Sequence, residues 1–316
     1  MSLDLLETPV RLTWDLHGPG PPLPEAELLG IANRIAEAGV FFVTLEEQPL
    51  AHPALAGILA TLAAGGCRVQ LACSGGVAEL ACLATLRPPL PDVQLDVSAF
   101  VAGGQLDAAH LEAAISRLEQ LGVEPALRLT PLAANLSAIP QLLNYCAEHG
   151  VRRLKLSNAR IGDSFRADPP GELPRWPTLE AFRVLWGKDT PLVPESLQLE
   201  IHDRFLWEIM TPELEQARSE YGGCQAGNSL GHVDAAGKVY ACAAWPEALG
   251  SLRDASLDDI WHSPKRLAIR GKIAETPAGC LGCRDYALCL GGCRGLGETL
   301  NREGGGRDPM CRAPRR

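Results

Sequence analysis

The sequence predicts an α/β fold, in the form of a partial (β/α)6-type TIM barrel followed by a small cysteine-rich domain. Short runs rich in Val, Leu and Thr recur between residues 9 and 202, segments with helical periodicity separate them, and cysteines cluster near the C-terminal end. Alternating β and α segments indicate a parallel sheet with crossover helices. A doubly wound open sheet is the alternative, although the first strand lacks the Gly-rich turn of a dinucleotide-binding fold.

Each predicted strand is short and rich in residues that favour β-structure. In chain order the strands are VRLTWDL, FFVTLEE, RVQLACS, VQLDVSAF, PALRLTPL, RRLKLSN and SLQLEIH. Apolar residues recur at helical spacing from Leu111 to Leu118 and from Ile139 to Ala147. Asp107 and Asn135 are the expected N-caps of these two helices. The Pro-rich stretch 163–178 interrupts the rhythm and predicts a long loop, either a lid or a connector.

The composition excludes several classes of protein. The chain has 316 residues, 46% hydrophobic residues and a formal net charge of -9. No run approaches the roughly 18 apolar residues of a membrane span, and the N-terminus MSLDLLETPV carries acidic residues where a secretory signal carries basic ones. We therefore expect a cytoplasmic protein with no membrane association. The acidic balance also argues against a nucleic-acid partner.

The distribution of the 11 cysteines points to a metal site. In a reducing cytosol, clustered cysteines indicate metal ligands or reactive thiols. Seven fall in the last part of the chain, and these are Cys224, Cys242, Cys280, Cys283, Cys289, Cys293 and Cys311. Seven thiols are too many for one tetrahedral ion and close to the eight of two four-ligand sites. From the spacing alone, a pair of zinc sites remains an alternative to iron–sulfur clusters.

The cysteine spacing, with the text LGSLRDASLDDIWHSP and CLGGCRG, resembles the SPASM domain of radical S-adenosylmethionine proteins. The resemblance covers 224–316 and implies two auxiliary iron–sulfur clusters, expected to be [4Fe–4S]. It assigns one cluster to Cys280, Cys283, Cys289 and Cys311, and the other to Cys224, Cys242 and Cys293. Many members have an eighth cysteine that this chain lacks, so His232 is a candidate for the remaining position.

The N-terminal part resembles the radical S-adenosylmethionine partial barrel in PVRLTWDL, AEAGVFFVTLEEQPLAHP and ACSGG. The family carries three cysteines after its first strand, whereas this chain reads LHGPGPPLPEAE and has no cysteine before Cys67. The family's Gly-Gly-Glu-Pro, whose backbone approaches the methionyl amine, is replaced by Glu46, Glu47, Gln48 and Pro49. The resemblance therefore implies a degenerate barrel that does not bind S-adenosylmethionine.

The other cysteines do not rebuild the missing site. Cys67, Cys73 and Cys82 are too far apart along the chain to share one cluster, so we expect them to be small buried side chains. A functional role stays open for Cys73, which lies at the end of a predicted strand. Polar residues expected at the barrel mouth either bind a ligand or are only solvated, and both alternatives stay open. They are Asp15, His17, Glu46, Glu47, Asp96 and Arg128.

The expected organisation is a barrel over 1–203, a linker helix over 204–223 and a SPASM domain over 224–316. The resemblance implies a non-catalytic, scaffold or electron-transfer partner of an intact radical S-adenosylmethionine enzyme that modifies a peptide or protein. Such systems also contain a small peptide-binding protein. The alternatives are an enzyme in its own right, for which no catalytic residue is identified, and a zinc-bound interaction module.

Overall fold

The computed structural model describes residues 5–86, 92–160, 173–188, 193–211, 222–312 and 314. The α/β class is confirmed, and all seven predicted strands form, six of them within the predicted runs and the fourth beginning one residue before its run, at Asp92. The strands are β1 (Arg11–Asp15), β2 (Phe42–Glu46), β3 (Arg68–Cys73), β4 (Asp92–Asp96), β5 (Val101–Ala102), β6 (Gln105–Leu106), β7 (Ala126–Leu129), β8 (Arg153–Leu156), β9 (Gln198–Ile201), β10 (Leu230–Val233), β11 (Lys238–Tyr240) and β12 (Ala248–Ser251).

The helices lie between these strands and after the last one. They are α1 (Glu25–Glu37), α2 (Leu55–Ala64), α3 (Val77–Leu83), α4 (Ala108–Gln120), α5 (Ile139–His149), α6 (Trp176–Lys188), α7 (Arg204–Met210), α8 (Leu257–Trp261), α9 (Pro264–Ala274), α10 (Tyr286–Cys289) and α11 (Arg294–Leu300). Within the described ranges, no helix is both long and apolar enough to cross a membrane.

The first compact unit consists of Met1–Val93 and Gln225–Glu275. Its strands run in the order β12-β11-β10-β1-β2-β3, with β10, β1, β2 and β3 parallel and β11 antiparallel to both of its neighbours. Leu12 and Trp14 alternate with Thr13 and Asp15 along β1, and the first two are completely buried. Because side chains alternate between the faces of a strand, one face is apolar and the other is polar.

The second compact unit consists of Gln94–Cys224 and Thr276–Arg316. Its parallel strands run in the order β4-β7-β8-β9. Leu127 and Leu129 are buried on one face of β7, whereas Arg128 points to the other face and contacts Asp96 across the strand pair at 3.3 Å. The apolar face again forms the core, and the opposite face carries charged pairs.

Several local expectations are corrected by the structure. Helix α6 begins at Trp176 and has Pro177 in its first turn, where proline is tolerated, and the part of the predicted loop at 163–172 lies outside the described residues. Asp107 caps α4 as expected, but Asn135 does not cap α5, because its Oδ1 accepts a hydrogen bond from the Leu132 N–H instead.

The predicted linker helix is present in its first part. Asp203 Oδ1 accepts a 2.7 Å hydrogen bond from the Leu206 N–H and so caps α7, while 212–221 lie outside the described residues. Each compact unit contains one segment from the strand-rich part of the chain and one from the cysteine-rich part. The predicted domains, 1–203, 204–223 and 224–316, are each continuous in sequence, whereas each compact unit combines two separate segments. This predicted division stays a prediction.

Candidate metal centre

Four of the seven clustered cysteines line a single pocket in the second unit. The free space in this pocket, including its opening to solvent, is about 290 Å³. The four are Cys280, Cys283, Cys289 and Cys311, the set that the sequence assigned to one cluster. Cys280 is buried and the other three are partly exposed. The structure therefore brings this predicted ligand set together.

Tight turns place the thiols of Cys280, Cys283 and Cys311, and a short helix places that of Cys289. Cys280 ends a 3-10 turn that begins at Ala278, and its carbonyl oxygen accepts a 3.1 Å hydrogen bond from the Cys283 N–H. Cys289 is the last residue of α10. The Cys311 N–H donates to the carbonyl oxygen of Asp308 at 3.1 Å. Backbone hydrogen bonds thus fix the main chain at each of these cysteines.

The electrostatics of the pocket favour protonated thiols in the absence of a cation. Burial, together with the neighbouring thiols of Cys289, Cys311 and Cys283, raises the pKa of Cys280 to about 11, while Arg294 opposes the shift. Burial also raises the pKa of Cys289. A bound metal reverses this balance, because a coordinated thiol is deprotonated by the metal charge. Four thiols that line one pocket, two of them with raised pKa values, are a donor set that fits a metal cofactor.

A buried carboxyl borders the same pocket. Burial raises the pKa of Asp308 to about 8, the nearby carboxyl of Asp203 adds to the shift, and the N–H groups of Cys293 and Met310 oppose it. Asp308 is 1% exposed. Sequence reasoning did not single out this residue. The signal available was an Asp-Pro pair three residues before a cysteine, which is typical of a turn and not specific for a metal site.

The cysteines assigned to the other cluster are distributed over both units. Cys224 and Cys293 belong to the second unit, whereas Cys242 belongs to the first, where its carbonyl oxygen accepts a hydrogen bond from the Trp245 N–H. Within the second unit, a Cβ at Gly223 would lie 3.1 Å from Leu290, so the segment before Cys224 packs near the loop that carries Cys293. The assignment of these three cysteines to one cluster stays a prediction.

His232 interacts with two side chains of β1. Its Nδ1 lies 2.9 Å from Thr13 Oγ1, and its Nε2 lies 3.5 Å from Asp15 Oδ2. The ring is 8% exposed. The structure thus gives both ring nitrogens a partner in the first unit, and the role of His232 as a metal ligand stays a prediction.

The zinc alternative requires three or four ligands on one ion. Among the residues that the structure describes, no three His, Cys, Asp or Glu side chains are grouped closely enough to hold a single metal ion. The four thiols line one pocket, and the choice between zinc and an iron–sulfur cluster stays a prediction.

The polar residues of the predicted barrel mouth divide between the units. In the first unit, the His17 Nδ1–H donates to the carbonyl oxygen of Glu47 at 2.9 Å, and the rings of His17 and His52 are 5.0 Å apart. Glu46 is buried, and Glu47 and Gln48 both have φ of 54°. The backbone therefore adopts a conformation that favours glycine, although both residues carry side chains.

In the second unit, Asp96 accepts hydrogen bonds from the Ser98 N–H at 2.9 Å and from Arg128 at 3.3 Å. Asp96 and Arg128 thus form an ion pair.

The cysteines outside the cluster are mostly buried, as expected. Burial raises the pKa of Cys73 and Cys146 to about 12, and Cys67 is buried as well. Cys82 is exposed, so the expectation that it is a buried side chain is wrong. In α3 the buried positions are taken by Leu80 and Leu83, which leaves Cys82 on the solvent side.

Comparisons with known proteins match the part of the chain that includes Cys280 and Cys283 of this pocket. Residues 224–284 match SPASM, described as an iron–sulfur cluster-binding domain. A curated relative, the pre-heme d1 synthase of Dinoroseobacter shibae, is 22% identical over 218 residues, which cover 63% of this chain. The chain spans about half the length, 54%, of that relative.

Solved structures share the fold. SuiB of Streptococcus suis bound to S-adenosylmethionine matches with a TM-score of 0.65 and 14% identity, over 98% of this chain and 78% of that chain. Native anSMEcpe with bound AdoMet matches with a TM-score of 0.65 and 13% identity, over 96% of this chain and 94% of that chain. The chain thus shares the fold of these two S-adenosylmethionine-bound proteins, and its residues 224–284 match an iron–sulfur cluster-binding domain.

Proposed function

We propose that this chain is an iron–sulfur protein that carries two auxiliary clusters and acts as a non-catalytic or electron-transfer partner of an intact radical S-adenosylmethionine enzyme. The observation that carries the proposal is the convergence of Cys280, Cys283, Cys289 and Cys311 on one pocket. The match of 224–284 to an iron–sulfur cluster-binding domain supports it. The modified substrate is a peptide or protein, and a small peptide-binding protein is the expected third component.

The ligand sets follow from the pocket and from the cysteine spacing. The pocket set of four holds one cluster, and Cys224, Cys242 and Cys293 hold the other with a further ligand still to be identified. A bound iron–sulfur cluster supplies one-electron transfer at a potential that its surroundings set. The residues of this chain supply the thiolates, bury them, and fix them through backbone hydrogen bonds.

The proposed lack of catalysis rests on the N-terminal half of the chain. Between Asp15 and α1 there is no cysteine, so no thiolate is available there for a cluster that cleaves S-adenosylmethionine. The side chains of Glu46 and Glu47 occupy the two positions at which the resemblance requires glycine. Both changes affect the end of the strands where barrels of this type place their sites.

An enzyme in its own right is the second candidate. The observation that favours it is the set of relatives, which includes a protein named as a synthase and structures with bound S-adenosylmethionine. In this case Cys224, Cys242 and Cys293 would hold an iron–sulfur cluster, and an iron without a cysteine ligand would supply a binding position for the substrate. A zinc-bound interaction module is the third.

The metal content of cysteine variants tests the cluster assignment. The protein is purified without oxygen and assayed for iron, sulfide and zinc, as wild type, as C280A/C283A, and as the control C82A, which removes an exposed thiol outside the cluster. We expect about eight iron and eight sulfide per wild-type chain and per C82A chain, and about four fewer of each in C280A/C283A. Unchanged iron in C280A/C283A, or zinc without iron in the wild type, would contradict the assignment.

A further inference from the structure

Asp308 contacts the ligand segments of both proposed clusters. Its Oδ2 accepts a 2.6 Å hydrogen bond from the Cys293 N–H, and its Oδ1 accepts a 2.8 Å hydrogen bond from the Met310 N–H. Its carbonyl oxygen accepts from the Cys311 N–H at 3.1 Å. One residue, 1% exposed, therefore fixes the main chain at Cys293 and at Cys311.

The loop before Cys293 is shaped to admit this carboxylate. Gly292 has φ of +66°, and a Cβ at this position would lie 2.5 Å from Asp308 Oδ2 and 2.8 Å from Asp308 Cβ. The missing side chain at Gly292 thus allows the loop to close on Asp308. The carboxylate of Asp308 can lie here only because residue 292 is glycine, and glycine also tolerates this positive φ.

The contact to Cys293 is more than a local turn requires. A turn beginning at Asp308 needs only the hydrogen bond to the Met310 N–H, two residues further along the chain. The hydrogen bond to Cys293 instead joins segments 15 residues apart. The second oxygen of the carboxylate is therefore used to hold another ligand segment.

We propose that Asp308 is a positioning residue that couples the two cluster sites, since it orients Cys293 of one ligand set and Cys311 of the other. This inference rests on the proposed function. Residues behind the ligands of a metal site typically change metal affinity 10- to 100-fold when mutated. Loss of the carboxylate is therefore expected to weaken both sites together.

The test compares D308N and D308A with the control D107N. Asp107 also lies in the second unit and accepts a hydrogen bond from a backbone N–H, that of His110, but its segment carries no proposed ligand. The readouts are the rate of iron loss to a chelator, the electron paramagnetic resonance signal of each reduced cluster, and the midpoint of thermal unfolding of the metal-free protein.

We expect iron loss to be about 10-fold faster in D308N, with both cluster signals altered, and D107N to behave as wild type. D308A should lose iron faster still, because it removes both acceptor oxygens. A wild-type rate in D308N, or a change in only one of the two signals, would overturn the coupling. A D308N chain that unfolds without metal would also overturn it, because the carboxylate would then hold the whole unit. The iron content of the wild type is measured first. Wild-type protein without iron would contradict the proposed function itself, independently of the D308N result.

Discussion

A Cβ atom at Gly279 would lie only 2.2 Å from the carbonyl oxygen of Gly304. The Gly279 N–H also donates to the carbonyl oxygen of Gly305 at 3.0 Å. Two stretches of main chain are therefore in direct contact beside the pocket, one just before Cys280 and the other a few residues before Cys311. Because main-chain atoms cannot turn aside as a flexible side chain can, the spacing of these two thiols depends on this contact.

We predict that G279A is destabilised by about 2 kcal/mol, since it overfills a closely packed contact. It should also retain less iron. Denaturant unfolding and iron content provide the measurements. The matched control is G187A near the end of α6 in the same unit, where an added Cβ meets no atom within 4 Å and we expect no loss of stability. Equal stability of the two variants would show that the backbone contact does not constrain the pocket.

A second prediction concerns the strained turn after β2. Gln48 is exposed and has φ of 54°, a region that is unfavourable for residues with a side chain. Glycine removes the backbone strain of the folded state but increases the conformational entropy of the unfolded chain. We expect the first effect to be larger, so that Q48G raises the free energy of unfolding by about 0.5–1 kcal/mol. The control is Q120G at the C-terminal end of α4, which should lower it. A destabilised Q48G would show that the side chain is held by a compensating interaction.

A third prediction concerns the pH dependence of stability. Burial lowers the pKa of His52, and the charge of His17 lowers it further, although Glu25 opposes the shift. Below about pH 6.5 the unfolded chain therefore binds more protons than the folded chain, so folding is destabilised as the pH falls towards the lowered folded-state pKa. H52N keeps a neutral acceptor for the Ala54 N–H.

The free energy of unfolding is measured between pH 8 and pH 5 for wild type and H52N. We expect the wild type to lose more stability on acidification than H52N. H110N, which changes an exposed histidine, provides the control and should follow the wild type. Parallel curves for wild type and H52N would rule out the protonation of His52 as a cause of acid sensitivity.

A fourth prediction concerns thiol reactivity. Burial raises the pKa of Cys73 to about 12 and that of Cys146 to about 12, and both side chains are shielded from solvent. Because the thiolate is the reactive form, a short exposure to iodoacetamide at pH 8 should label Cys82 and leave Cys73 and Cys146 unmodified. Peptide mass spectrometry measures the labelling. Modification of Cys73 at a rate similar to that of Cys82 would indicate that the end of β3 opens to solvent.

The strands were predictable because their burial pattern is local. In β1 and β7, buried apolar residues alternate with more exposed residues at the period of two that any pleated strand imposes. The cysteine pocket was predictable from the resemblance to a known family, which groups Cys280, Cys283 and Cys289 with Cys311, and two short turns carry the first three of these residues.

The remaining features depend on contacts between distant segments. Asp308 reaches Cys293 across 15 residues, and no local pattern encodes that pairing. Asparagine is a residue type that favours N-cap positions. The side-chain nitrogen of Asn135 instead donates to the carbonyl oxygen of Thr130, and its side-chain oxygen accepts from the Leu132 N–H. Local preference was overridden there by a competing set of hydrogen bonds.

The central proposal is that the chain holds auxiliary clusters without cleaving S-adenosylmethionine. The most direct measurement is the yield of 5′-deoxyadenosine from anaerobically purified, iron-loaded protein with S-adenosylmethionine and dithionite, beside a reaction without protein and one with an intact radical enzyme. We predict about eight iron per chain and no 5′-deoxyadenosine above the reaction without protein. A yield of one or more equivalents per chain would contradict the proposal and establish an enzyme in its own right.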